Sequence, residues 1–315
     1  MENEERTLVE NFSHFKIGHT QYQNALEIIH DSIEATALRS EPACALLLGE
    51  PGTGKTSVCR QLMAEYGPPY KSKKQNKIVT IRPIVYCRLP NPITLKGLAT
   101  SLIYQFNAKV EHDIMNHLDF RIQQLLRTCE TQVIVIDELQ HLLRRGASRT
   151  KEVVCDWLKV LSDLFGGEII LTGTPDCEEI IDRHDALSGR FPYRMTLTPF
   201  DLANKGHQRE FFNLIQAFSS EIRNTMQFSE MTPLTNQEMF LALYAVSGGN
   251  MRSLRSILYS AIVHAFEHNR HSLTKNDFYR AAESVTLKTR LFPANPFDMS
   301  LSQLEKNLFR VHYDG

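Results

Sequence analysis

The stretch "LLLGEPGTGKTS", Leu46 to Ser57, decides the fold of this chain. It fits the pattern G-x-x-x-x-G-K-[ST], whose fixed positions are here Gly49, Gly54, Lys55 and Thr56. An apolar run precedes the motif and a helical pattern follows it. In that context the backbone amides of the loop and the helix N-terminus converge on phosphate oxygens. The motif therefore predicts nucleotide binding.

The loop supplies most of the predicted nucleotide contacts. They are Gly49, Glu50, Pro51, Gly52, Thr53, Gly54, Lys55, Thr56 and Ser57. Lys55 is expected to reach the β- and γ-phosphates of ATP, and Thr56 is expected to ligate Mg²⁺.

Composition bounds the class of protein. With 315 residues and 42% hydrophobic content, the chain can form one large domain or two ordinary ones. A formal net charge of −1 gives no global field toward nucleic acid or membrane, so any basic surface must be local. The six cysteines form no C-x-x-C pair, the N-terminus is polar, and no apolar run approaches ~18 residues. We expect a soluble, cytoplasmic protein with reduced thiols and no membrane partner.

Short apolar runs alternate with helical patterns in the first two thirds of the chain. Strands are predicted at 44–48, 84–89, 132–137, 168–173 and 193–197. Almost wholly apolar strands between helices favour a parallel sheet covered on both faces. The basic segment "KSKKQNK" (71–77) is predicted to be a loop, and no strand is predicted after Phe200. The predicted divisions are an arm (1–20), an α/β core (21–200), a lid of four helices (201–287) and a tail (288–315).

The second motif is "VIVIDELQH". Its apolar strand brings Asp137 to a carboxyl end, where the carboxylate would hold Mg²⁺ through water. Glu138 would orient and polarise the attacking water. Adjacent Asp and Glu favour hydrolysis over phosphoryl transfer to a metabolite, because a kinase site must exclude water.

Two further segments carry candidate catalytic residues. In "IILTGTPD", either Thr172 or Thr174 could hydrogen-bond the attacking water or the γ-phosphate. In "LSGRFPYRMTL", Arg190 or Arg194 could reach nucleotide held by a neighbouring subunit of an oligomer. An arginine in that role stabilises transition-state charge and is worth roughly 10³–10⁵ in rate.

A last segment, "SGGNMRSLRS", begins a helix of the predicted lid. Asn250 can cap that helix. Arg252 then lies in its first turn, where it could reach back to phosphate. Arg255 lies one turn further on and is expected to be exposed.

In this order, the motifs resemble the Walker A, Walker B, sensor 1, arginine finger and sensor 2 elements of AAA+ ATPases. The resemblance implies a five-stranded αβα core and a helical lid, with nucleotide bound between them and across a subunit interface. The chain looks most like the TniB/TnsC transposition regulators. The segment "PIVYCRLPNPITLKGLATSLIYQF" is similar to the part of that family that follows the second core strand.

The family resemblance implies partners. They are other copies of the chain in a ring or filament, double-stranded DNA, a TnsB/TniA-like transposase and a TniQ-like target selector, which an RNA-guided complex could include. ATP hydrolysis would disassemble the oligomer. DNA contacts are expected between the second strand and Walker B, at Lys96, Thr100, Lys109 and Arg121. A second basic surface is formed by Lys71, Lys73, Lys74 and Lys77.

Three other functions stay open at this point. The first is a helicase loader or replication initiator similar to IstB or DnaC. The second is a P-loop kinase acting on a small molecule, against which the Asp137-Glu138 pair and Arg252 argue. The third is a nucleotide-gated scaffold with weak hydrolysis.

Overall fold

The computed structural model describes the chain except for residues 2, 16, 40, 75–76, 111–113, 145–147, 269 and 315, and gives the backbone alone for 148 and 309–314. The chain divides into two compact units. An α/β unit spans Gln21–Leu197, and a helical unit combines Met1–Thr20 with Thr198–Gly315.

Helices and strands alternate in the α/β unit, and helices dominate the other unit. The helices are α1 (Asn3–His14), α2 (Thr20–Leu38), α3 (Lys55–Tyr66), α4 (Leu95–Tyr104), α5 (Met115–Thr128), α6 (Ser148–Phe165), α7 (Cys177–Asp182), α8 (Asp185–Ser188), α9 (Lys205–Thr225), α10 (Gln237–Ser247), α11 (Met251–Glu267), α12 (Lys275–Ser284) and α13 (Leu301–Asp314). The strands are β1 (Ala45–Gly49), β2 (Tyr70–Lys74), β3 (Lys77–Ile81), β4 (Ile84–Arg88), β5 (Val133–Asp137), β6 (Glu168–Gly173), β7 (Tyr193–Leu197), β8 (Glu230–Met231) and β9 (Ser272–Leu273).

The central sheet has five strands in the order β4-β5-β6-β1-β7, and every neighbouring pair is parallel. The fold class predicted from the sequence is confirmed. All five strands end on one side of the sheet, which we call the carboxyl edge, and begin on the other, the amino edge. The phosphate-loop motif follows β1 and the acidic motif ends β5, so both lie at the carboxyl edge.

Alternating side chains of the strands enter two apolar layers. Leu46 of β1 and Ile134 of β5 belong to the layer beneath α4, α5 and α6. Leu47 and Val135 belong to the opposite layer, beneath α2 and α3. Because both faces are covered, the strands read as continuous apolar runs in the sequence.

A buried carboxylate ties α2 to the amino edge of the sheet. Glu168, only 1% exposed, accepts hydrogen bonds from Ser32 Oγ (2.9 Å), Thr36 Oγ1 (2.8 Å) and the Ala45 amide (2.9 Å). Burial raises the pKa of Glu168 to about 7, although these hydrogen bonds act in the opposite direction.

The basic segment predicted as a loop instead belongs largely to two strands, β2 and β3, which pair in an antiparallel sheet. Its residues 75–76 lie outside the described part of the chain. The prediction is wrong because lysines on a solvent-exposed strand disguise its period-2 pattern. Lys71 and Lys73 are exposed on β2, and Lys74 forms an ion pair with Glu130.

The helical unit has one core, shared by α9, α10, α11 and α12 with both ends of the chain. Val9 and Phe12 of α1 and Leu304 of α13 are buried in it. The segment that the sequence set apart as an arm thus contains a helix of this unit. The prediction of no strand after Phe200 is wrong, because β8 and β9 form a short parallel pair.

All six cysteines are free thiols, and all but Cys129 are buried. None of the helices among the described residues has the length and apolar character needed to cross a membrane.

Candidate functional site

The phosphate loop turns tightly between β1 and α3. Gly52 and Gly54 have φ angles of 90° and 114°, which side chains other than glycine rarely allow. Gly49 meets a different limit, since a Cβ there would lie 2.5 Å from the Leu197 carbonyl oxygen. Thr53 Oγ1 donates to the Glu50 carbonyl over 2.9 Å and braces the turn. Glycine is therefore required at three positions of this loop.

Lys55, the first residue of α3, folds back over this loop. Its ammonium donates to the carbonyl oxygens of Gly49 (2.5 Å) and Glu50 (3.1 Å). A strongly hydrated ammonium held by two carbonyls can exchange them for phosphate oxygens. The contact of Lys55 with the phosphates of ATP stays a prediction.

Asp137 is the centre of the polar network at the carboxyl edge. This carboxylate is 2% exposed, at the end of β5. Its Oδ2 accepts from Tyr86 Oη over 2.5 Å and from Thr56 Oγ1 over 3.4 Å. Its Oδ1 accepts from Thr172 Oγ1 and from the Glu138 amide, the latter over 2.8 Å. Asp137 thus connects the phosphate loop with β4 and β6.

The donor set suits Mg²⁺ better than a metal held by protein ligands alone. Among the described residues, no group of three or more His, Cys, Asp or Glu side chains could hold a metal ion. Mg²⁺ beside a nucleotide takes one or two protein oxygens, with phosphates and waters completing its shell. Thr56 and Asp137 would hold it, the latter through water, as the sequence predicts.

Glu138 follows Asp137 in a left-handed conformation, with a φ of 69°. Non-glycine residues with positive φ are uncommon and concentrate at functional sites. The Gln140 side-chain amide donates to Glu138 Oε2, while Gln140 Oε1 is buried without a hydrogen-bond partner in the described residues. Glu138 thus lies in a strained turn, and the hydrogen bond from Gln140 restrains its side chain.

The two threonine candidates differ in position. Thr172, in β6, is fully buried and hydrogen-bonds Asp137. Thr174 lies beyond the strand, with its Oγ1 3.7 Å from Cys177 Sγ. The structure therefore brings Thr172, rather than Thr174, together with the acidic motif.

The arginine candidates lie toward the amino edge. Arg190 precedes β7, and its carbonyl accepts from the Cys44 amide just before β1. Its guanidinium pairs with Asp163 (2.8 Å) and Glu41 (3.1 Å). The ion pairs with both acids would have to break before the Arg190 guanidinium could contact a neighbouring subunit.

Arg194 lies within β7, opposite Leu46 of β1. It pairs with Asp182 (2.6 Å) and Glu178 (3.2 Å), and it donates to Ser188 Oγ (3.1 Å). This network fastens α7 and α8 to the strand, a structural task that competes with the finger role.

In the helical unit, the predicted helix start has the expected cap. Asn250 Oδ1 accepts from the amides of Arg252 (3.1 Å) and Ser253 (3.2 Å) at the start of α11. Arg252 is exposed in the first turn, and its contact with nucleotide stays a prediction. The prediction for Arg255 is wrong. Its guanidinium is half-buried, donates to the Phe15 carbonyl and lies 5.3 Å from the Phe218 ring centroid.

The DNA candidates lie on and after α4. Lys96 and Thr100 are one turn apart on one face of α4, with Lys96 exposed and Thr100 half-buried. Lys109 is exposed in the segment after α4, and Arg121 is half-buried on α5.

Sequence reasoning missed three residues of the network, Tyr86, Arg88 and Gln140. Tyr86 and Arg88 occupy alternate positions at the end of β4, so their side chains share one face. That spacing in "IVYCRLP", beside the predicted Asp137 strand, is a signal that could have found them. Gln140 gave none, since a polar residue after a strand is ordinary.

A family model described as bacterial TniB protein matches residues 13–202. No curated protein matches the chain significantly. The solved structure of Cdc6p from Pyrobaculum aerophilum is similar, with a TM-score of 0.62 and 14% identity, over 87% of this chain and 70% of that one. The Aeropyrum pernix ORC1 protein in complex with DNA gives 0.62 and 15%, over 90% and 71%.

Drosophila ORC bound to DNA is also similar, with a TM-score of 0.57 and 16% identity, over 91% of this chain and 67% of that one. At such identities these structures bear on the fold, and they support the AAA+ architecture. The TniB model covers more than half of the 315 residues, including the phosphate loop and the acidic motif. The chain therefore belongs to the bacterial TniB family.

Proposed function

We propose that this protein is an ATP-dependent, DNA-binding regulator of DNA transposition. It is a AAA+ ATPase that assembles on double-stranded DNA as a ring or filament. The assembly connects a TniQ-like target selector to a TnsB/TniA-like transposase, and hydrolysis of ATP takes it apart. The observation that carries the ATPase proposal is the approach of Asp137 to Thr56, 3.4 Å apart, with Glu138 next in the chain.

Each site residue has a role in hydrolysis. Lys55 and the loop amides would bind the phosphates, while Thr56 and Asp137 would hold Mg²⁺, which when bound would supply positive charge beside the reacting phosphate. Glu138 orients and polarises the attacking water, and Thr172 keeps Asp137 in place. In an oligomer, Arg190 or Arg194 completes the site of a neighbour.

DNA binding is proposed through phosphate contacts on the exposed face of α4 and the segment after it. Among the described residues of that surface, Lys96 and Lys109 are positively charged. Such contacts carry little sequence preference. Assembly of many subunits on one duplex multiplies a modest basic surface, so the near-neutral net charge of the chain is compatible with tight binding.

The test is assembly in the presence of both ligands. Purified protein is mixed with a non-hydrolysable ATP analogue, Mg²⁺ and duplex DNA, then imaged by negative-stain electron microscopy. Rings or filaments are expected with both ligands, and none with Lys55→Ala. A monomer under every condition would overturn the proposal. A pull-down with this protein then separates the alternatives. Recovery of a hexameric helicase rather than a transposase would favour the loader alternative.

The DNA surface is tested by the dependence of affinity on salt. Lys96→Glu should weaken DNA binding and reduce the slope of log K against log salt by about 1 for each lost phosphate contact. Lys306→Glu, at an exposed position on α13, is the matched control. Equal effects of the two substitutions would remove Lys96 from the surface.

A further inference from the structure

Tyr86 donates a hydrogen bond to Asp137 from the neighbouring strand. The side chain belongs to β4, which pairs with β5 so that Arg88 lies opposite Asp137. The Tyr86 ring packs against the apolar layer beneath α2 and α3. Packing thus fixes where its hydroxyl lies, 2.5 Å from Asp137 Oδ2.

The hydroxyl is the closer of two side-chain donors to that oxygen. Four protein donors surround Asp137, two on each oxygen. Without the Tyr86 hydroxyl, the described donor left on Oδ2 would be Thr56, at 3.4 Å. That distance is beyond the usual range for hydroxyl donors, so it would restrain the carboxylate weakly.

Arg88 fixes the direction of the Tyr86 proton. Its Nε donates to Tyr86 Oη over 3.1 Å, and its guanidinium carbon lies 5.8 Å from the ring centroid. A phenol oxygen that accepts from a guanidinium keeps its own proton for another acceptor, here Asp137. Such a chain of donors strengthens each hydrogen bond within it.

We propose that Tyr86 is a positioning residue for Mg²⁺, which acts by orienting the Asp137 carboxylate, and that Arg88 acts through Tyr86. The proposal rests on the proposed function, because it takes Asp137 as a ligand of Mg²⁺ through water. Outer-shell hydrogen bonds of this kind orient metal-binding carboxylates, and their loss typically costs 10–100-fold in metal affinity or activity.

The experiment measures Mg²⁺ dependence of nucleotide binding, without turnover. A fluorescent, non-hydrolysable ATP analogue is titrated at rising Mg²⁺ and again in EDTA. Tyr86→Phe keeps the ring and removes the hydroxyl. It should raise the Mg²⁺ concentration for half-maximal enhancement of binding about tenfold and leave binding in EDTA unchanged. Tyr259→Phe, in the helical unit, is the control, and thermal unfolding checks that each variant is folded.

A double-mutant cycle tests the part played by Arg88. Arg88→Met should raise the Mg²⁺ requirement less than Tyr86→Phe does. The double variant should match Tyr86→Phe, because Arg88 then has no hydroxyl to orient. Additive effects would overturn the relay.

Asp137→Asn distinguishes failure of the proposed function from failure of the inference about Tyr86. If wild type binds no nucleotide, the proposed function falls and takes this inference with it. If Asp137→Asn raises the Mg²⁺ requirement while Tyr86→Phe shifts it less than twofold, only the inference is overturned.

Discussion

Two buried carboxylates, one near each edge of the central sheet, are surrounded by the same kinds of donor. The donors to Asp137 are Thr56, Tyr86, Thr172 and the Glu138 amide. The donors to Glu168 are Ser32, Thr36 and the Ala45 amide. Both acids are at most 2% exposed. A buried carboxylate that accepts hydrogen bonds from hydroxyl groups is therefore not enough to identify a functional site.

The residues around each carboxylate distinguish Asp137 from Glu168. Asp137 faces a phosphate loop across Thr56, and the strained Glu138 follows it. Glu168 joins α2 to the start of β1 and β6, where its donors belong to a helix and a strand end. We therefore expect substitutions at the carboxyl edge to change nucleotide chemistry and those around Glu168 to change stability.

Arg190 is the strongest exception, since it lies at the amino edge and yet is a candidate for catalysis. Arg190→Ala should leave ATP binding intact and reduce cooperative hydrolysis by roughly 10³-fold or more, if it completes a neighbour's site. Its ion pair with Asp163, a pair that is partly exposed, contributes only about 0–1 kcal/mol of stability. Steady-state ATPase assays across protein concentrations measure the effect.

Asp163→Asn is the matched control, because it weakens the same ion pair and keeps the arginine. That variant should hydrolyse ATP at least as fast as wild type. Equal losses in both variants would mean that the ion pair, rather than a finger, matters. Normal hydrolysis by Arg190→Ala would transfer the finger role to Arg194.

Glu138→Gln tests whether the carboxyl edge of the sheet carries the chemistry of hydrolysis. Loss of the water-activating carboxylate should lower turnover roughly 10²–10⁴-fold, while ATP stays bound and assemblies on DNA persist. Single-turnover hydrolysis and electron microscopy of the same sample measure both. Unchanged turnover would show that Glu138 does not activate the water.

The sequence predicted what depends on local pattern. Apolar strands and the glycine spacing around Lys55 determine the core and the loop, and strand order in a parallel sheet brings Asp137 beside Thr172. Side-chain contacts outside these motifs have no such signal in the sequence. The ion pairs of Arg190 and the half-burial of Arg255 depend on which side chains happen to face them after folding.

Glu168→Ala should reduce the free energy of unfolding by about 3 kcal/mol. It leaves buried donors on Ser32, Thr36 and the Ala45 amide without their acceptor, and each such group costs about 1–3 kcal/mol before the hydroxyls rotate to other partners. Glu34→Ala, at an exposed position on α2, should stay within about 0.5 kcal/mol. Urea unfolding compares them. A stable Glu168→Ala protein with impaired nucleotide binding would reverse the division between the two acids.

Per pH unit, the smallest expected effect concerns how Glu168 titrates. Its pKa is raised from 4.5 to about 7 by burial, so the folded state holds a proton that the unfolded state releases. The contribution of Glu168 to stability is thus fully present below pH 4.5 and is lost as pH rises to about 7, at no more than about 1.4 kcal/mol per pH unit.

Glu168→Gln removes this titration and keeps a side-chain acceptor for the three donors. The difference in unfolding free energy, wild type minus variant, should therefore fall between about pH 4.5 and 7 and stay level above that range. Urea unfolding at several pH values measures it. A difference that instead rises with pH would mean that three hydrogen bonds outweigh burial and keep Glu168 charged.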